Sequence, residues 1–240
     1  PPPPLIRFCS DPPEKARQRA RQAIEARADD FVLTYWGYIY PGKGIETLLE
    51  AFRMVCTRMP NMRLVLVGGY LEIPTRAVEC KRYHDMVQKL PETFGITEKV
   101  TWTGNFTWDS DEGSLYLRGS DACVLPFDYG VTLNNSSLAA ATTHSTPIIA
   151  TEIPGERDEA LEHGRNVYLA RPKDPDALAE AIELISGSRD FQQLLRAGSA
   201  RLAQEWYSRE TFGDRLAHIL TSAIGSTESH SGKTDLHVSR

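Results

Sequence analysis

The chain has 240 residues, of which 41% are hydrophobic and 25% are charged. This composition is typical of a folded globular protein and excludes a disordered or fibrous chain. The formal net charge is −5, so a broad basic surface for nucleic acid is not expected. Because no apolar run approaches the roughly 20 residues that cross a bilayer, no transmembrane segment is expected either.

The sequence opens on the proline run Pro1–Pro4, which favours an extended segment. We predict a linker and a first helix over residues 1–28, and an ordered domain over residues 29–224. Residues 225–240 are polar and rich in glycine and serine, which predicts a flexible tail. The proline-rich start leads us to expect a fragment cut at an interdomain linker, with a further domain upstream.

Strand-like and helix-like segments alternate along the ordered part. Strands are predicted at Phe31–Trp36, Arg63–Val67, Val100–Thr103, Ala122–Pro126, Pro147–Thr151 and Asn166–Leu169. Helices are predicted at Pro13–Arg27, Ile45–Arg58, Pro74–Phe94, Asp111–Arg118, Asn135–Thr143, Asp174–Ser186, Asp190–Trp206 and Arg209–Ala223. Several strands are short and continuously apolar, as strands covered on both faces are. The order predicts an α/β fold with a doubly wound parallel sheet of the Rossmann type.

The first predicted strand is followed by a loop that suits an anionic ligand. Gly37 ends the strand, and Lys43 and Gly44 come directly before a helical pattern that starts at Ile45. Unpaired N–H groups and a positive dipole lie at such a helix N-terminus, and a lysine adds a point charge for phosphate. An ordinary strand-to-helix connection with a solvated lysine is the alternative.

A second loop of this kind follows the fourth predicted strand. Gly130 stands beside Val131 and Thr132, where backbone N–H groups can turn toward a ligand. Ser136 and Ser137 are N-cap candidates, and each can instead donate its hydroxyl to an anion. A capped helix behind a loop is the alternative, although two such loops after different strands of one sheet favour a binding site.

Other cofactor and metal signals are weak. Gly68-Gly69 is not a GxGxxG fingerprint, which argues against a dehydrogenase or epimerase domain. The histidines are scattered and no carboxylate cluster is present, so we expect neither a metal site nor a cofactor. The four cysteines form no CxxC pair, which favours reduced core thiols and a cytoplasmic protein.

An ordered series of motifs carries a family resemblance. These are G-x5-KG before an amphipathic helix, LVLVGG, KVTWTGNF, ACVLPF, STPIIAT and PGERDEALEHG. From about Phe31 to Ile219 the chain resembles family 4 of the retaining glycosyltransferases, which have the GT-B architecture. The resemblance implies that this is the C-terminal, nucleotide-sugar-binding Rossmann domain, and that the acceptor-binding N-terminal domain is absent from the chain. The fragment is then expected to be inactive alone.

The resemblance also implies roles for particular residues. Lys43 matches the lysine that contacts the donor diphosphate, and Tyr38 stands where the family often has an arginine. Asn105 and Phe106 match a loop that meets the nucleobase, and Gly130 belongs to the loop that wraps phosphates and sugar. The candidate donor-binding residues are Gly37, Tyr38, Lys43, Gly44, Asn105, Phe106, Gly130, Val131, Thr132, Ser136 and Ser137.

One family feature is missing from this sequence. The family carries two glutamates separated by seven residues, and the second would fall at Ala140, with Ser137 as a partial substitute. Asp128 is the only carboxylate in the preceding loop, so Lys43 and Asp128 are the catalytic candidates. The missing pair leaves open a non-catalytic module that binds a nucleotide sugar, and an α/β domain of another nucleotide-using enzyme is a further alternative.

Overall fold

A computed structural model of the protein describes residues 6–107, 109–153, 155–156 and 158–228, with side chains through residue 221. The strands are β1 Phe31–Trp36, β2 Met62–Val67, β3 Val100–Gly104, β4 Ala122–Leu125, β5 Ile148–Thr151 and β6 Tyr168–Ala170. The α-helices are α1 Pro13–Ala23, α2 Ile45–Arg58, α3 Ala77–Val87, α4 Leu90–Thr93, α5 Glu112–Gly119, α6 Ser136–Thr143, α7 Pro175–Gly187, α8 Arg189–Leu202 and α9 Arg209–Glu228.

The described strands form one parallel sheet in the order β3-β2-β1-β4-β5-β6. Strand β1 lies at the centre, where Leu33 pairs with Leu64 of β2 on one side and with Ala122 of β4 on the other. The chain therefore winds outward from β1 in both directions, and the change of direction lies between β1 and β4. This confirms the predicted doubly wound, Rossmann-like α/β fold.

Helix α2 shows why the helices cover the sheet. Its apolar residues recur at helical spacing, so Ile45, Leu48, Leu49 and Phe52 share one face, and all four are fully buried. Burying one such side chain contributes about 1.5–3 kcal/mol, so this face holds the helix against the sheet. The helix N-terminus is thereby fixed at the carboxyl edge of β1.

The N-terminal segment packs on the same domain. Helix α1 lies against α5, and a Cβ atom at Gly119 would stand 2.4 Å from the Cβ of Ala20. Arg17 and Arg21 of α1 bind the two oxygens of Asp121 at 2.5 and 3.1 Å. The first helix is therefore anchored to the residues that lead into β4.

Several predicted bounds differ from the structure by a few residues, and three of the differences are informative. The predicted helix Pro74–Phe94 is two helices, because Pro91 lacks the N–H that a helix interior needs. The predicted helix Asp190–Trp206 ends as α-helix at Leu202 and continues as a π-helical turn over Ala203–Tyr207. Helix α9 runs to Glu228, past the predicted boundary at 224, since extending an existing helix is favourable even for moderate helix formers. The rest of the predicted tail lies outside the described residues.

The structure also bears on the state of the cysteines and on the length of the helices. All four cysteines are free, and burial raises the pKa of the Cys123 thiol to about 12, as predicted for a core thiol. Among the helices that the structure describes, none is long and apolar enough to cross a membrane.

Candidate functional site at the carboxyl edge of β1 and β4

The loops after β1 and β4 meet at the edge where the sheet changes direction. Gly44, the N-cap of α2, has a left-handed φ of 66°, and a Cβ atom there would stand 1.9 Å from the carbonyl oxygen of Pro126. The amide of Asp128 also donates to the carbonyl of Gly42 at 3.0 Å. Only glycine permits this close approach, so the sequence Lys43-Gly44 joins the two loops into one site.

Gly37 brings the N-terminal half of the first loop against helix α6. Its φ is 139°, and a Cβ atom would stand 2.6 Å from Oγ of Ser137, the buried second residue of α6. The carbonyl of Gly37 also lies under Gly68, where a Cβ atom would stand 2.3 Å from it. The structure therefore brings the predicted pair Gly37 and Ser137 together.

Lys43 is a largely buried cation without a counter-ion. Its Nζ lies 3.7 Å from the centroid of the Phe127 ring and 5.0 Å from that of Tyr40. Burial lowers its pKa from 10.5 to about 8, and no carboxylate among the described residues forms an ion pair with it. Aromatic faces compensate a desolvated cation only in part, by about 2 kcal/mol. An anion at this position would compensate it more fully.

Asp128 lies beside the same loop but pairs with a different lysine. Its Oδ2 is 3.9 Å from Nζ of Lys173, and its side chain is 22% exposed. Burial raises the pKa of this carboxyl, Lys173 lowers it, and Glu46 raises it further. Asp128 is therefore a half-buried acid beside the Lys43 loop, and among the described ion pairs it is joined to Lys173 and not to Lys43.

The amides of the second loop do not face a ligand, contrary to the prediction. The N–H of Gly130 donates to the carbonyl of Phe127 at 3.1 Å, and that of Val131 to Thr151 at 2.9 Å. The N–H of Thr132 donates to Oδ1 of Asn135 at 2.7 Å. These bonds tie the loop to itself and to β5, so its glycine allows a tight turn and not a cradle of free amides.

Helix α6 supplies the polar groups that this loop does not. The helix begins at Ser136, so its N-cap is Asn135. The prediction that Ser136 or Ser137 is the N-cap is therefore wrong. The Asn135 side chain is engaged by Thr132 and makes no cap hydrogen bond to the first turn of α6. The first turn, with the exposed Ser136, therefore has N–H groups that the Asn135 side chain does not cap, at a helix end where the dipole is positive.

The remaining predicted residues lie around the rim. The Asn105 side chain accepts from the N–H of Gly69 at 3.0 Å and donates to the carbonyl of Tyr70 at 3.4 Å, so it braces the loop after β2. Phe106 is half-buried and packs 6.1 Å from the Tyr116 ring. Tyr38 is 53% exposed, and its carbonyl accepts a hydrogen bond from the hydroxyl of Tyr35 at 2.8 Å. Thr132 is exposed.

Sequence reasoning missed two residues at this edge. Lys173 follows β6 far along the chain, and no motif distinguishes it from other surface lysines. Glu46, in the first turn of α2, accepts a hydrogen bond from the Tyr83 hydroxyl. The sequence did indicate Glu46, since an acidic residue favours a helix N-terminus, but it did not reveal that Tyr83 of α3 is the hydrogen-bond partner. Among the described residues, no group of side chains is arranged to hold a metal ion.

Comparisons with known proteins agree with this geometry. Residues 30–187 match the family described as glycosyl transferases group 1. The chain is 25% identical over 221 residues to a GDP-mannose-dependent alpha-(1-6)-phosphatidylinositol monomannoside mannosyltransferase from Mycolicibacterium smegmatis, covering 90% of this chain and 53% of that protein. It spans about half the length of the curated relatives it matches.

Two solved structures share the fold. The C-terminal domain of a glycosyl transferase group 1 family protein (LpcC) from Francisella tularensis has a TM-score of 0.67 at 18% identity, covering 85% of this chain and 97% of that one. Anabaena Alr3699/HepE in complex with UDP has a TM-score of 0.73 at 19% identity, covering 87% of this chain and 53% of that one. Because the family match extends over more than half of the sequence, the chain belongs to the glycosyl transferases group 1.

Proposed function

We propose that this chain is the C-terminal, donor-binding half of a family 4 retaining glycosyltransferase of GT-B architecture. It binds a nucleotide-diphospho sugar, whose sugar is transferred to an acceptor. The observation that carries the proposal is the largely buried Lys43 ammonium, which has no carboxylate partner among the described residues and lies where the sheet changes direction. The UDP bound in the structure of HepE supports a nucleoside diphosphate as the ligand class.

The geometry suits the charge that develops during transfer. When the bond between sugar and diphosphate breaks, negative charge builds up on the departing diphosphate. Lys43 and the N-termini of α2 and α6 lie on the loops that contact one another after β1 and β4, and fixed groups of this kind stabilise developing charge more strongly in a closed site than in water. Attack on the same face, assisted by the leaving group, needs no protein nucleophile, no metal ion and no further cofactor.

The acceptor is bound by an N-terminal domain outside this chain in our proposal. The chain spans about half the length of its curated relatives, and the Francisella tularensis structure that it nearly covers is itself a C-terminal domain. We therefore expect no transfer by this chain alone. Its cytoplasmic localisation stays a prediction.

A non-catalytic module that binds a nucleotide sugar is the second candidate. The observation that favours it is Ala140, which is fully buried in α6 at the position where the resemblance implies a glutamate. The catalytic candidate Asp128 pairs with Lys173 and is not free. Release of nucleoside diphosphate from a bound nucleotide sugar, measured after the upstream half is joined to this chain, separates the candidates: release supports the transferase, and binding without release supports the module.

Lys43→Ala tests the site itself. A hydrogen bond to a charged group is worth about 1.5–3 kcal/mol, so the variant is expected to bind UDP or GDP about ten- to a hundredfold more weakly by calorimetry. Lys15→Ala is the control, because Lys15 is 64% exposed, pairs with Asp11 and lies on α1, which packs against α5. Equal affinity in the two variants would reject Lys43 as the phosphate ligand.

A further inference from the structure

We propose that Lys173, on the loop between β6 and α7, is the second cation of the donor site and binds the diphosphate together with Lys43. The inference rests on the proposed function, since it assigns a further positioning residue for the same ligand. The charge of the ligand favours such a residue. A diphosphate ester carries more than one negative charge at neutral pH, and Lys43 supplies a single point charge.

Both lysines contact the same short segment of chain. Nζ of Lys43 lies 3.7 Å from the ring centroid of Phe127. Nζ of Lys173 lies 3.9 Å from Oδ2 of Asp128 and 5.7 Å from the ring centroid of Tyr129. Phe127, Asp128 and Tyr129 are consecutive, so the loops after β1, β4 and β6 converge with an ammonium group on each outer loop.

Lys173 is also paired more weakly than the neighbouring arginines Arg171 and Arg76. Arg171 binds Asp174 at 2.8 Å, and Arg76, whose guanidinium lies 6.0 Å from the Tyr40 ring, binds Glu79 at 3.1 Å. The Lys173–Asp128 distance of 3.9 Å exceeds that of a charge-assisted hydrogen bond. With 63% of its side chain exposed, Lys173 can exchange this contact for a phosphate oxygen with little loss.

The backbone at this position is unusual for a lysine. Lys173 has a φ of 57°, in the left-handed region that glycine and asparagine adopt with less strain. Residues held in such conformations persist when their surroundings fix them, and they are concentrated at ligand sites. The conformation directs the side chain toward Asp128 and Tyr129, although a glycine here would make the same turn more easily.

A purely structural role makes a different prediction. If Lys173 only ties the β6–α7 loop to Asp128, its removal changes thermal stability slightly and leaves ligand affinity intact, because exposed ion pairs contribute little. If Lys173 binds the diphosphate, affinity falls while stability is unchanged. Lys173→Gly separates these effects, since it removes the ammonium and relieves the left-handed backbone at once.

The experiment measures UDP and GDP affinity by calorimetry at low and high salt. Lys173→Ala and Lys173→Gly are expected to weaken binding about five- to tenfold at low salt, less than Lys43→Ala, because a contact made by an exposed lysine contributes less. Lys173→Arg is expected to retain most of the affinity, and the difference from the native protein shrinks at high salt. Lys15→Ala, an equally exposed lysine in an ion pair, is the matched control.

The melting temperature of Lys173→Gly completes the test. A loss of affinity with an unchanged or raised melting temperature assigns the effect to the ammonium. If Lys173→Ala binds as Lys15→Ala does while Lys43→Ala binds weakly, the second-cation role is wrong and the proposed function stands. If the native protein binds neither nucleotide, or if Lys43→Ala also binds normally, the proposed function and this inference are both wrong.

Discussion

The two loops at the carboxyl edge of the sheet look alike in sequence and use their polar groups in opposite ways. In the loop from Gly37 to Gly44, the Lys43 ammonium has no carboxylate partner in the part of the chain that the structure describes. In the loop that contains Gly130, the backbone N–H groups donate hydrogen bonds to the carbonyls of Phe127 and Thr151 and to the Asn135 side chain. The first loop is therefore suited to bind an external anion, whereas the hydrogen bonds of the second loop stabilise that loop's own conformation.

This difference shows what a glycine beside small polar residues predicts. It predicts a turn, because the backbone needs a positive φ there. It does not predict where the amides point, because their acceptors come from other parts of the chain. The carbonyl that accepts from Val131 belongs to Thr151 of β5, and the carboxylate that accepts from Leu133 belongs to Asp158. A buried cation without a partner identifies a ligand-facing loop more directly.

The largest expected effect comes from Gly44→Ala, which breaks the junction of the two loops. The new Cβ would stand 1.9 Å from the Pro126 carbonyl oxygen, and the left-handed φ is strained for alanine. Together these effects are expected to lower the free energy of unfolding by about 3 kcal/mol, measured by chemical denaturation. Affinity for UDP or GDP should fall with it, since Lys43 is the adjacent residue.

Two other glycines make the matched controls. Gly95→Ala meets no atom within 4 Å and has a φ of 68°, so it carries the backbone strain alone, about 1 kcal/mol. Gly130→Ala has a φ of 70° and would stand 3.2 Å from the Ile153 amide nitrogen, an intermediate clash. The expected order of destabilisation is Gly44, then Gly130, then Gly95. Equal losses in all three variants would show that the close approach at Gly44 is unimportant.

The pH dependence of binding sharpens the comparison, because only the first loop contains a titrating ligand group. Burial lowers the pKa of Lys43 to about 8, so the free protein loses this charge as the pH rises from 7 to 9. Affinity for UDP or GDP is expected to fall about tenfold over that range, since each unit above the pKa reduces the ammonium form tenfold. Ligand binding raises the pKa and takes up a proton, which calorimetry in buffers of different ionisation enthalpy detects.

Lys43→Arg is the control for this titration. A guanidinium stays charged across the range, so the variant is expected to bind with a flat pH profile. If the native protein also gave a flat profile, the ammonium would not be the group that binds the diphosphate.

Much of the fold was predictable because its signals are local. Strand β1 and helix α2 have the predicted bounds, Phe31–Trp36 and Ile45–Arg58, since each combines an apolar period with a glycine at its boundary. The split between α3 and α4 was not predicted, although Pro91 marks it. Periodicity continued across the proline, and it outweighed a local stop signal.

The positions of site residues were predictable only where a single residue, by its charge or its backbone freedom, marks the loop on which it lies. Lys43 and Gly37 lie where the predicted loop places them, because strand order and chain direction fix the carboxyl edge. The contact between Lys173 and Asp128 joins the ends of β6 and β4, which lie on either side of β5 in the sheet. Such a contact depends on the packing of whole elements, and sequence spacing does not reveal it.

The smallest expected effect tests whether the second loop faces the anion at all. Asn135→Asp keeps an oxygen that accepts from the Thr132 N–H and adds a negative charge at the N-cap of α6. A charge at this position interacts favourably with the helix dipole, so the free energy of unfolding is expected to rise by about 0.5 kcal/mol. The same charge repels a diphosphate held at the first turn of α6, so affinity for UDP or GDP should fall about threefold.

Asp174, the N-cap of α7, provides the reverse control. Asp174→Asn removes a charge from a helix N-terminus after β6 while keeping the acceptor for the Ala177 N–H. If Asn135→Asp stabilises the protein without weakening nucleotide binding, then α6 does not contact the diphosphate, and the N-terminus of α2 is the helix end that binds it together with the lysines.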